Sequence, residues 1–583
     1  MNDNIEVDSF DADHLATKIA DMWQRWDSDR LEWKTDKQEL RQYLFATDTR
    51  KTSNGAVTSW NNSTVSPKLT QIRDNLHANY MAALFPSQDW FFWQSDDKSA
   101  SMMSKRQAIE AYMRKKLKED RFDLLVEQLV LDYIDYGNVI VTYDFVRDIY
   151  SGANANIVKK YVGPRAYRVS PNDVVFNPVA SSFSQTPLIR RMLKSIGDVM
   201  QDIDTKPNLG YNKNILKKAL KLRSRIIDDP EIKKEINLNI EGFGSLEEYL
   251  SSDMVELLEF WGDIYDTKTQ KLHKNKVITV IDRRWIIRNE DNPLWTAHKP
   301  FYHCGWRVRS DNLWAQGPLD QLVGLQYRID HLENLKADVF DLIAYPIIKR
   351  KGTTVEDFEY HPGAEINCGD EGDVEFMRPD TTALNADIQI QELMNRMEEL
   401  AGAPKQAMGI RTPGEKTKYE VQALENAAGR IFQHKVAWFE KNVIEPLLNG
   451  MLAEAARNFD TVEQIKVLDD ETGAEIFLEV TKEDLQASGK LYPIGARHFA
   501  QQAKFVQELA QTIATIQAWP ELKVHMSAKN AAKALDENLG WSNYGLFRDH
   551  AMIFEQAQTQ RLINQQQEDL QTEQQLPVEQ PEQ

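Results

Sequence analysis

Cysteine is nearly absent from this 583-residue chain. There are two, Cys304 and Cys368, too few and too far apart for a disulfide scaffold or a thiolate metal site, and such sparse use points to a reducing compartment. Long apolar runs are also missing. None approaches the roughly 20 residues that a membrane-spanning helix needs, so no span is expected. The first residues, MNDNIEVDSFDADHL, are acidic where a secretory signal would be basic and then apolar, and the expectation is a soluble protein that stays inside the cell making it. Basic excess is lacking too. With 70 Lys and Arg against 89 Asp and Glu, the formal net charge is −19. That balance argues against a ligand gripped through its phosphates, because such affinity comes mainly from Lys and Arg.

Chemical motifs are scarce. Gly409–Thr417 comes nearest to a phosphate-binding loop, but Glu415 separates Gly414 from Lys416 and Pro413 removes an amide donor. Gly242-Phe243-Gly244 lacks a third glycine and reads as a turn. His298, His303 and Cys304 are close in sequence without a matched second pair, and no HExxH or calcium-loop pattern occurs. His331 and Glu333 on the central helical stretch read as solvated or interfacial. The chain is therefore expected to be no enzyme, with no cofactor, no metal and no catalytic residue.

Hydrophobic residues make up 42% and charged residues 27%, an ordinary globular balance whose length suggests roughly three to five domains or subdomains. The fold class expected is α+β, mostly helical. Ala12–Phe45 reads as helices anchored by Leu15, Ile19, Met22, Trp26, Leu31, Trp33, Leu40 and Leu44. A polar loop, TDTRKTSNGAVTSWNNST, leads to Ser66-Pro67, which would cap and open a helix to about Leu84. Trp90–Trp93 is a run of four aromatics that cannot all face one way in a strand, so a core or subunit-interface role is expected. Helices follow at about Ser99–Leu117 and Phe122–Tyr136. From Gly137 the pattern turns β-branched and strand-like, is interrupted by charged helical residues over Leu193–Leu250, and resumes in MVELLEFWGDIYD and KVITVIDRRWIIRNEDNP. Lys213, Lys217, Lys218, Lys221, Arg223 and Arg225 form an acid-free basic run on that insertion, read as a solvated helix face.

The centre of the chain carries the clearest helical signal. Gly317-Pro318 would start a helix and Tyr345-Pro346 would stop it. Leu322, Leu325, Ile329, Leu332, Leu335, Val339 and Leu342 recur in steps of three and four along one face, while Arg328, Asp330, Glu333, Asn334, Lys336, Asp338 and Asp341 occupy the others. A short strand-like stretch, Ile347–Asp380, follows, with acids densest at Asp370, Glu371, Asp373 and Glu375. Next come a helix at about Ala386–Leu400, a Gly/Pro loop dotted with Lys405, Arg411, Lys416 and Lys418, a long helix from Tyr419 to Phe459, and a strand-like piece, IKVLDDETGAEIFLEV. The end is Ala/Gln-rich and helical, then polar and low in complexity.

GPLDQLVGLQYRIDHLENLKADVFDLIAYP resembles the first stem helix of tailed-bacteriophage portal proteins, the head-to-tail connectors, particularly of short-tailed phages. NYMAALFPSQDWFFW is similar to that family's N-terminal wing segment. KPFYHCGWRVRSDNLWAQGP resembles its strand-to-stem lead-in, and EKTKYEVQALENAAGRIFQHKVAWFEKNVIEPLL its long helix after the channel loop. The resemblance covers about half of the chain, in the family's order. It implies a portal fold assembled as a ring: wing at 1–316, first stem helix at 317–346, a small β-containing clip at 347–380, second stem helix at 381–400, channel loop at 401–418, long helix and wing return at 419–496, helical crown at 497–563 and a disordered Gln-rich tail at 564–583. It further implies a dodecamer at one capsid vertex of the virion, assembled in the host cytoplasm. Double-stranded DNA would pass without sequence specificity during packaging and ejection. Terminase, then tail adaptor or nozzle proteins, would dock on the clip at Asp370, Glu371, Asp373 and Glu375, beside major capsid and scaffolding partners. Lys405, Arg411, Lys416 and Lys418 would touch DNA from the channel loop, and the seven apolar stem residues would pack helices side by side. The alternatives are a packaging motor or nuclease, which would need a true phosphate loop and an acidic metal site, or a tail adaptor or capsid-associated protein.

Overall fold

The computed structural model describes residues 13–52, 62–86, 90–95, 101–151, 157–205, 209–228, 246–294, 298–352, 366, 372–377, 380–401, 431–459, 462–468 and 475–495. The fold is α+β, and helix outweighs strand. Contacts divide the chain into two units, residues 1–84 with 91–493, and residues 85–90 with 494–583. In the second, Phe85 meets Trp90 edge-on at 5.0 Å and Ile494 N–H donates to the Trp90 carbonyl at 2.9 Å. The crown and tail expected beyond 496 lie outside the described residues.

The first elements are α1 (His14–Asp29), α2 (Leu31–Leu44), α3 (Lys68–Leu84), β1 (Phe91–Ser95), α4 (Ser101–Glu119) and α5 (Phe122–Asp135). The helix after Ser66-Pro67 begins one residue later than expected. The Gln71 N–H closes its turn on the Pro67 carbonyl at 3.1 Å, which puts Pro67, not Ser66, in the cap position. In β1 the aromatic run alternates: Phe91 and Trp93 are buried and Phe92 is half-buried, as the period of two requires.

The strands β2 (Asn138–Ser151), β3 (Ile157–Val169), β4 (Val174–Phe176) and β5 (Leu188–Ser195) come next. They are followed by the helices α6 (Ile196–Thr205), α7 (Lys213–Asp228) and α8 (Leu246–Ser251) of the charged insertion, then β6 (Met254–Asp266), β7 (Lys271–Ile281), β8 (Trp285–Asp291) and β9 (Phe301–Gly305). β4-β5-β6-β7-β8 form a five-stranded antiparallel sheet, and β3-β2-β9 a three-stranded one. Side chains alternate across the large sheet. Val255, Leu257 and Ile281 face the insertion, packing on Val199, Leu216, Ala219 and Tyr249. Leu258, Phe260, Ile278 and Val280 face the other way, onto Ala16, Ile19 and Trp23 of α1. The insertion is thus one layer of a helix–sheet–helix sandwich.

Its basic run is not all solvated. Lys213, Lys217 and Lys221 are exposed, but Arg223 is buried. Arg223 donates twice to Asp282, at 2.7 and 2.8 Å, and to the Met254 carbonyl at 2.8 Å, and it lies 4.5 Å from the Tyr249 ring centre. The side chain of Arg225 lies outside the described residues.

The last elements are α9 (Val323–Ala344), the hairpin β10 (Ile347–Lys351) and β11 (Asp373–Met377), α10 (Asp387–Ala401), α11 (Glu445–Asn458), the hairpin β12 (Glu463–Leu468) and β13 (Glu475–Val480), the short α12 (Lys482–Leu485), and β14 (Gly489–Pro493), which pairs with β1. IKVLDDETGAEIFLEV is therefore two strands, not one. The described part of the long helix, from 431, passes through a π turn at Glu440–Ile444 before α11.

Candidate functional site

α9 is the element that the sequence marks most strongly, and its start differs from expectation. The chain from Gly317 is not yet helical. A 3₁₀ turn at Asp320–Leu322 precedes Val323, and the Gly317 N–H donates to Asp320 Oδ2 at 2.8 Å. Lys37 on α2 also pairs with Asp320, so this carboxylate ties the lead-in to α2. The rod has 22 residues, about 33 Å at 1.5 Å per residue. It stops at Tyr345-Pro346, where proline disfavours helical backbone at the preceding residue.

Its apolar stripe is covered at one end and open at the other. Leu322, Ile329 and Leu332 are buried; Leu325, Leu335 and Val339 are half-buried, and Leu342 is exposed. The correction concerns the polar face. Gln326, Asp330 and Asn334 are buried, and with Asp338 they repeat every four residues on one side of the helix. Residues 62–66 run along that side as extended chain. Asn62 N–H donates to Asp338 Oδ1 at 3.0 Å, Thr64 N–H to Asn334 Oδ1 at 2.8 Å, and Ser66 N–H to Asp330 Oδ1 at 2.9 Å. Asn334 Nδ2 returns a bond to the Thr64 carbonyl at 2.8 Å, and Gln326 Nε2 one to the Ser66 carbonyl at 2.5 Å. Gln326 Oε1 accepts from Leu69 N–H at 3.0 Å, satisfying a donor that the first turn of α3 leaves open.

The registers match for a geometric reason. Four helical residues advance about 6 Å, and two extended residues advance about 6.6 Å, so one side chain per turn meets every second backbone amide. The helix acts as the strand partner that residues 62–66 otherwise lack. The sequence places Asp330 and Asn334 off the apolar stripe without showing that they are buried; the strict fourfold spacing of Gln326, Asp330, Asn334 and Asp338 is the available signal.

Burial raises the pKa of Asp330 to about 6, against the Ser66 N–H and Gln326 amide that favour its charged form, and Glu333 adds repulsion. An unfolded aspartate titrates near 3.9. Between the two values the folded chain holds a proton that the unfolded chain has lost, so stability falls as pH rises through that window. Asp330→Asn, which keeps the accepting oxygen, is expected to remove that contribution, about 2–3 kcal/mol. Urea denaturation from weakly acid to neutral pH measures it; an unchanged slope in the variant counts against the assignment.

Beyond Asp338 the surroundings change. Phe340, Leu342, Ile343 and Tyr345 (73% exposed) face solvent, followed by Ile347 on β10, Phe376 and Met377 on β11, and Ile388 (80% exposed) on α10. β10 and β11 place Ile347 opposite Met377 and Ile348 opposite Phe376. Asp373 and Glu375 are exposed on this hairpin, and Glu375 pairs with Lys349 at 3.1 Å. Asp370 and Glu371, and the loop residues Lys405, Arg411, Lys416 and Lys418, lie outside the described residues. α10 is tied back by Lys336–Asp387 and by the nearly buried Lys68–Glu398 pair, both at 2.5 Å. So many open aromatic and aliphatic side chains on one helix–hairpin–helix excursion mark a surface made to be covered.

Among the described residues, no group of three or more His, Cys, Asp or Glu could hold a metal ion, and no helix is long and apolar enough to cross a membrane. His303 is tied to Asn138 Oδ1 at 3.0 Å, and Cys304 is buried. No protein-family model matches the chain, and no curated protein matches it either.

Proposed function

We propose that this chain is a viral portal protein. Copies join as a ring at one capsid vertex, double-stranded DNA enters and leaves through the centre, and terminase and then tail adaptor proteins dock on the exposed hairpin. The observation that carries this reading is the excursion from α9 through β10 and β11 to α10. Its root is locked to α3 and to residues 62–66, while its far part leaves Phe340, Ile343, Tyr345, Ile347 and Ile388 open. A lone chain gains nothing from such exposure; side-by-side copies cover it. The acidic balance of the chain suits a conduit, because walls that neutralised many phosphates would hold DNA and slow its passage.

Native mass measurement together with electron microscopy of the purified protein tests the reading. The expected result is closed rings of about twelve copies of the 67.3 kDa chain, about 0.8 MDa, with a hole of duplex width and no ATP hydrolysis. A chain that stays monomeric at high concentration with capsid partners present, or that hydrolyses ATP, overturns it.

A further inference from the structure

A cavity of about 560 Å³ opens between the loop at Phe183-Ser184, the segment His298–His303 leading into β9, and the chain from Asn442 through the start of α11. Lys299 lines it. Its ammonium donates to the carbonyls of Phe183 and Thr186, the latter at 2.7 Å, and lies 4.0 Å from the Phe183 ring centre. An ammonium has three donors, and these bonds use two. No carboxylate among the described residues pairs with it, in a chain that carries 89 Asp and Glu, so scarcity of acid is not the reason. Burial alone presses its pKa down to about 7. The neighbouring His303 is kept neutral by burial and by Lys299 itself, so it adds no second positive charge.

A partly buried cation without a counter-charge is costly, and here it borders open space walled by Phe183, Tyr302 and the exposed Ser184. Flat apolar walls with one charged anchor are the usual make-up of a small-molecule site. We propose that this cavity binds a small organic oxyanion, its carboxylate or phosphate on the Lys299 ammonium and its apolar body along Phe183 and Tyr302. The site is independent of the ring reading, since all its walls come from one chain.

Titration calorimetry of the full chain with benzoate and, separately, phenyl phosphate tests this, in two buffers of different ionisation heat slightly above neutral pH. Saturable binding of one probe per chain is expected, with proton uptake as Lys299 becomes fully charged; which probe binds tighter decides between carboxylate and phosphate. Lys299→Met should weaken binding about tenfold or more. Ser184→Trp, at an exposed position, should block the cavity and gives the same comparison if the lysine variant fails to fold. Absence of saturable binding, or undiminished affinity in Lys299→Met, overturns the proposal.

Discussion

Replacing Gly137 with alanine is expected to cost about 3–5 kcal/mol or to prevent folding. Gly137 has φ +67°, where a side chain is already strained, and a Cβ there would lie 2.3 Å from the Gly317 nitrogen and 2.5 Å from the Gln316 carbonyl carbon. Both neighbours are backbone, so no rotamer change relieves the overlap. Nor can the other chain retreat, because a Cβ on Gly317 would meet the Ile134 carbonyl at 2.9 Å, and the Gly317 N–H is held by Asp320. The crossing joins the start of β2 to the lead-in of α9, so the damage should reach the root of the excursion. Gly324→Ala is the control. Nothing lies within 4 Å of its added carbon, and a helical glycine gains about 0.5–1 kcal/mol on becoming alanine. Urea midpoints of the two variants moving the same way would refute this account.

Asp282→Ala should cost about 3–5 kcal/mol, the usual loss when one partner of a buried ion pair is removed and the other charge stays behind. Asp282 and Arg283 are the two central residues of the turn joining β7 to β8, at φ +50° and +58°, and Arg284 N–H closes it on the Ile281 carbonyl at 3.0 Å. Such primed turns favour glycine. Here side-chain bonds hold the strained conformation instead. Asp282 takes Arg223 in two bonds and the Tyr249 hydroxyl at 2.5 Å, and Arg283 donates to the buried Glu256 at 2.7 and 3.0 Å. Losing Asp282 therefore releases both the turn and the insertion helix carrying Arg223. Combined with Arg223→Met, the loss should fall short of the sum of the two single variants by about 2–3 kcal/mol. Additive losses, or a single-variant cost below about 1 kcal/mol, would show that the pair does not lock the insertion.

The amino-acid sequence by itself determined the type and order of the elements wherever one period ran uninterrupted. The apolar spacing of α5 and α9, the β-branched and aromatic make-up of β6 and β7, and the stop at Tyr345-Pro346 are local physics, set by backbone sterics and by which face must leave water. It also determined the excess of acid and the shortage of cysteine. The tertiary structure decided which polar residues are buried. Asp330, Asn334 and Arg223 look like solvated face residues until the extended chain at 62–66 and the turn at Asp282 are brought beside them. Their partners lie far away in sequence, and no local period encodes that pairing. The start of α9 at Val323 lies past a lead-in that the distant Lys37 of α2 holds through Asp320, a pairing no local period encodes. The placement of the insertion over Val255, Leu257 and Ile281 followed from the sheet, which exists only once β5 and β6 have paired across the insertion.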